Sequence, residues 1–117
     1  MNKNIKKPLK TIIIEDKKTL KVINIDSIEE NKKMLASNKK FKTVFFNFTE
    51  GNGLPNHKHN GYAAIQVYEG VVDMEFVTGE KFQLKKGDFM EFDARVEHNV
   101  IAKVDSKILV IISEALV

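Results

Sequence analysis

From Phe41 onward the chain alternates apolar and polar residues in short runs, each closed by Gly, Asn, Asp or Ser. Val71–Phe76 shows the pattern most cleanly. Val72, Met74 and Phe76 share one parity, and Asp73 and Glu75 take the other. A repeat of two residues is the repeat of a half-buried strand, and a helix cannot present it to a core. Runs of the same kind occupy Phe41–Phe48, Tyr62–Tyr68, residues 82–84, Phe89–Phe92, His98–Val104 and Ile108–Ile112. Between them stand a loop at Glu50–Asn56 and turns at Thr78–Glu80, Lys86–Asp88 and Asp105–Ser106. Short, evenly spaced strands with such turns predict an all-β sandwich or barrel over residues 41–117.

Residues 1–40 read differently, as N-terminal strands and a short helix packing on that barrel. Leu9–Ile14 and Leu20–Ile25 are β-branched runs separated by the turn Glu15-Asp16-Lys17-Lys18. Ser27-Ile28-Glu29-Glu30 has the spacing of a capping box and predicts a helix over about residues 27–36. This segment holds 11 Lys against 5 acidic residues, whereas the net charge of the whole chain is +3. We read it as a solvated Lys-rich face. Nucleic acid is not the expected partner, because Arg, the usual bidentate donor to bases and phosphates, occurs once, as Arg95. No run reaches the roughly 18 apolar residues of a membrane span, and the first residues lack the apolar core of a signal peptide. The expectation is a soluble cytoplasmic protein.

The chain has no Cys, which excludes disulfides, thiolate metal sites and cysteine nucleophiles. Chemistry must then come from carboxylates, Lys, hydroxyls, a metal or the three His residues. His57 and His59 are two apart at the start of an extended segment. In a strand such residues share a face, about 6.6 Å apart, from which two imidazoles can converge on one ion. His98 opens a run in which Val100, Ala102 and Val104 share its parity, so it is expected to point inward.

These positions resemble the two motifs of the cupin superfamily, specifically its small single-domain members. The first motif runs Gly, five residues, His-x-His, then Glu and a closing Gly; here Gly51, His57, His59 and Gly70 fit it. The second runs from Gly to His across eleven positions; here Gly87 and His98 fit it. The resemblance covers residues 41–113 and implies a double-stranded β-helix, or jelly roll. It also implies a divalent transition metal (Zn, Fe, Ni, Mn or Cu) on His57, His59 and His98. The sequence departs from the pattern at three places. Ala63 stands at the Glu ligand, Asp93 at a Pro and Arg95 at a Gly.

Ala63, Ile65, Val67, Phe46, Phe48, Met74 and Phe76 are the expected pocket-lining residues. Tyr62 and Tyr68 are further aromatic candidates, and Glu91 and Glu97 flank the barrel mouth in sequence. The resemblance implies a small organic ligand, an anion among those it admits. If the protein is an enzyme, it implies metal-dependent dioxygenase, isomerase or lyase chemistry. The alternative is a non-catalytic small-ligand-binding or sensor protein that has lost the Glu ligand, with or without a metal. Sheet edges left by a jelly roll, with apolar N-terminal runs to pair on them, predict a homodimer.

Overall fold

The computed structural model describes residues 20–117. The strand run Leu9–Ile14 lies outside the described residues. Nine strands follow a one-turn 3-10 helix at Ile25–Ser27. They are β1 (Lys32–Ser37), β2 (Phe41–Phe48), β3 (Gly53–His57), β4 (Tyr62–Glu69), β5 (Val71–Phe76), β6 (Lys81–Lys85), β7 (Phe89–Asp93), β8 (His98–Ala102) and β9 (Ser106–Ser113). Two sheets result. One has five strands in the order β1-β2-β9-β4-β7, and the other has four in the order β3-β8-β5-β6. All pairings are antiparallel. Successive strands from β4 onward switch between the sheets except at the β5–β6 hairpin, which is the winding of a jelly roll.

The predicted parity holds on β5 and over His98–Ala102 of β8. On β2, Phe45 is fully buried at the parity opposite Phe46 and Phe48, and Phe82 and Val104, expected inward, are each 44% exposed. Val72 and Met74 are fully buried on β5, while Glu75 is exposed. His98, Val100 and Ala102 are all buried on β8. The core joins both sheets through Phe48, Ile65, Val67, Val72, Met74, Leu84, Val100, Ala102 and Ile108. Phe46 and Phe76 pack against it, half-buried.

A buried hydroxyl also clips the sheets together. Ser106 Oγ, at the start of β9, accepts the Val71 N–H at 3.0 Å and lies 2.7 Å from the Val104 carbonyl. Gly70 makes this approach feasible. Its φ is +91°, and a Cβ there would stand 2.3 Å from Ser106 Oγ and 2.5 Å from the Asp105 carbonyl oxygen.

Two expectations fail at the N-terminal side. The helix predicted over 27–36 is absent, and β1 occupies most of that span. Ser27 Oγ donates back to the Asn24 carbonyl, and Glu30 pairs with Lys33 at 3.4 Å, so the capping box does not close. Only Ile28 of the segment is buried. One apolar residue cannot hold a helix to a core, whereas the β2 edge offers an open row of backbone partners. Leu20–Ile25 likewise forms no strand; Leu20 and Val22 are almost fully exposed. At the other end of this stretch, Tyr68 donates its hydroxyl to Asp26 at 2.7 Å, and the Asn47 N–H bonds the Asn31 carbonyl. The region read as the Glu50–Asn56 loop contains β3, which pairs with β8 despite Pro55 because it is an edge strand.

Candidate functional site

His57 and His98 are register partners across β3 and β8. Their rings meet edge-on, with centroids 4.4 Å apart and planes at 62°. Each ring is fixed by its own backbone. His98 Nδ1 lies 2.7 Å from the Val96 carbonyl oxygen, and His57 Nδ1 lies 2.7 Å from that of Pro55. A carbonyl oxygen only accepts, so each Nδ1 carries the hydrogen and each Nε2 keeps its lone pair. Among the described residues no hydrogen bond uses either Nε2.

Aromatic rings enclose His98 on its other sides. Phe92 lies 4.8 Å away and Phe76 5.7 Å, centroid to centroid. Burial lowers the His98 pKa from its ordinary value, against the raising effect of the Val96 carbonyl. The neutral imidazole, a ligand and not a cation, is the form held at neutral pH.

His59 is placed apart from this pair. The chain leaves the strand after His57, so the two-residue repeat that would have aligned the side chains stops there. The His59 backbone N–H bonds the Ala94 carbonyl at 2.8 Å, and its Nε2 donates to the Ser113 carbonyl at 2.8 Å. Gly61 leaves room for the ring, since a Cβ there would come within 2.7 Å of His59 Nε2. Among the described residues no three His, Asp or Glu side chains form a group that could hold a metal ion. By chemistry, the neutral imidazoles of His57 and His98 are the donor type that a divalent transition metal takes. His59 joins them as a donor only after releasing Ser113.

The remaining expected residues sort by position. Ile65, Val67, Phe48 and Met74 fill the barrel core, and Phe46 stacks on Phe48 at 5.4 Å. Ala63 is buried between Phe92 and Ile112 as their ladder partner. Of the three Phe among the seven, Phe76 has a ring contact with a histidine, His98, at 5.7 Å. Sequence reasoning passed over Phe92, although Met90 and Phe92 share the inward parity of β7. It also gave no role to Asp93 and Arg95. Arg95 grips Asp93 through Nε at 2.9 Å and Nη2 at 2.6 Å, and its N–H bonds the same carboxylate. This holds the Asp93 pKa down at about 2. The clamp shapes the turn that feeds β8 where the family pattern has Pro and Gly.

Comparison with known proteins fixes the family. The family model described as Cupin domain matches residues 44–113, more than half of the chain. The chain belongs to the cupin family. No curated protein matches the sequence significantly. Solved structures share the fold. An RmlC-like cupin protein from Desulfovibrio desulfuricans is 25% identical over 89% of this chain and 100% of its own, with a TM-score of 0.67. KdgF from Halomonas sp. is 25% identical over 73% of this chain and 78% of its own, with a TM-score of 0.64. A conserved protein of unknown function from Streptococcus pyogenes reaches a TM-score of 0.71 at 16% identity, covering 93% and 100% of the two chains. In this cupin no helix among the described residues is long and apolar enough to cross a membrane.

Proposed function

We propose that this cupin binds a small organic molecule at the barrel end where His57 and His98 meet. The two unengaged Nε2 atoms are its polar anchors, and Phe76 and Phe92 form its apolar wall. The observation that carries this is the shared tautomer of the pair. Both Nδ1–H groups are spent on backbone carbonyls. His57 is exposed, whereas His98 is buried, and a buried acceptor left unpaired is costly unless something fills it. An apolar pocket with few convergent polar atoms is the usual form of a small-molecule site.

The same two lone pairs favour a second reading, a divalent transition metal held by His57, His98 and a His59 released from Ser113. Such an ion would supply Lewis acidity to a small organic substrate and would favour an anionic one. One experiment separates the readings. Zn2+ is titrated into tag-free protein and into His59→Ala and His57→Ala/His98→Ala variants. In the metal reading wild type binds about one equivalent and both variants lose it. In the first reading no protein binds stoichiometrically, while members of a fragment library shift the His57 and His98 imidazole resonances of wild type. If fragments leave both resonances unmoved and Zn2+ does not bind, both readings fall.

A homodimer is also proposed. Phe41, Tyr62, Phe89 and Ile111 are large apolar side chains of the five-stranded sheet left between 39% and 58% exposed, and a second copy would cover them. Light scattering at tens of micromolar that gives a monomer mass contradicts this.

A further inference from the structure

Strands β6 and β7 are consecutive in the chain but lie at the edges of different sheets. Beyond the turn that joins them no ladder closes the gap, and a cleft of about 360 Å³ opens there. Its lining is strongly apolar, with Phe76, Phe82, Phe92, Met90 and Val96. Phe76 stacks on neither neighbouring ring. It meets Phe82 at 6.1 Å and 87°, and Phe92 at 5.7 Å and 74°.

The polar part of the lining is acidic. Glu80, Glu91 and Asp93 contribute to it, and no Lys or Arg does. Arg95 neutralises Asp93. Glu80 accepts the Thr78 hydroxyl, which lowers its pKa and keeps it ionised. Among the described residues no ion pair engages Glu80 or Glu91. Residues 41–117 hold 8 basic and 11 acidic residues, so the cleft carries the acidic sign of the barrel around it.

We propose that the cleft binds a small organic cation with an apolar body, of the alkylammonium or arylammonium class. Phenylalanine faces attract an onium charge through the ring quadrupole, and the ionised carboxylate of Glu80 at the rim neutralises it. A carboxylate or phosphate ligand would instead meet that negative charge. The assignment rests on the reading that this is the ligand-binding end, because Phe76 and Phe92 line the cleft and also pack on His98.

The test uses 15N-labelled full-length protein titrated with benzyltrimethylammonium chloride and, separately, with sodium benzenesulfonate at constant ionic strength. The cation is expected to shift the amides of residues 80–82 and 91–92 saturably, and the sulfonate is expected to leave them unmoved. Glu80→Gln should weaken the cation about fivefold, and Phe82→Leu, which keeps apolar bulk but removes the ring, about threefold or more. Both side chains are exposed, Phe82 by 44%, so the fold should tolerate these changes. Equal binding of the sulfonate, no saturable shift with the cation, or variants that bind the cation like wild type would each overturn the assignment. Histidine resonances separate this from the parent reading. If fragments move His57 and His98 while the cation moves nothing, the cation assignment fails and the binding end stands. If the cation fills the cleft while no ligand moves either histidine, the cation assignment stands and the histidine site falls.

Discussion

Replacing Gly70 by Ala should unfold this barrel far more easily than the same change at Gly87, although both residues have φ of +91°. The shared angle makes the pair a controlled experiment. An L-residue forced into the left-handed region costs about 1–2 kcal/mol, and that term is common to both variants. At Gly87 the new methyl meets nothing within 4 Å, so this is the whole cost. At Gly70 the methyl would lie 2.3 Å from Ser106 Oγ, 2.5 Å from the Asp105 carbonyl oxygen and 2.7 Å from Ser106 Cα. Two of those are backbone atoms and cannot rotate away. Overpacking adds typically 1–3 kcal/mol, for a total of about 2–5 kcal/mol. The displaced hydroxyl would also threaten the Ser106–Val71 bond that clips the two sheets. In a domain of this size about 1 kcal/mol moves Tm by roughly 4–8 °C. Gly87→Ala should therefore lose about 4–16 °C and Gly70→Ala clearly more, followed by far-UV circular dichroism on heating and by urea denaturation. Adding Ser106→Ala to Gly70→Ala removes one of the clashing atoms, so the double variant should lose less than the sum of the singles. Equal losses at Gly70 and Gly87 would refute the steric reasoning.

Met74 is fully buried at the centre of the core cluster, so Met74→Ala should cost about 2–5 kcal/mol; a urea midpoint within error of wild type would contradict this. His98 has a folded pKa below its unfolded value. The unfolded chain therefore takes the proton first, and stability is complete above about pH 6.5 and falls as pH drops below it. Chelator-treated protein should show a Tm that is flat from pH 7 to 8 and declines toward pH 5, with a shallower decline in His98→Gln; identical slopes would remove His98 from this role. Arg95→Gln should raise the Asp93 pKa from about 2 toward the ordinary 3.8, read by carboxyl 13C shifts.

The barrel was legible because its signal is local. Alternation along Val71–Phe76 or His98–Ala102 is decided by which face meets the core, and no distant residue can reverse it. The motif glycine at position 70 was legible as a pattern, and the structure supplies its cause in the Ser106 clip. Residues 27–36 were misread because local capping chemistry at Ser27 and Glu30 competes with a tertiary opportunity, the free edge of β2, that sequence does not display. The histidines divide in the same way. His57 and His98 meet because strand register brings them together. His59 sits just past a strand end, where parity no longer governs, and a carbonyl from β9, 54 residues away in sequence, takes its ring. Phe92 went unnoticed because its contact with His98 crosses between the sheets.

The most direct test of the site is the tautomer of each imidazole, read from a long-range 1H–15N correlation spectrum of 15N-labelled, metal-free protein at pH 8. With only three histidines in the chain, single His→Gln variants assign every signal. The expected result is Nδ1–H for His57 and His98, each with an unprotonated Nε2, and Nε2–H for His59. An Nε2–H tautomer at either His57 or His98 would close the pair of free lone pairs and contradict the proposed binding end.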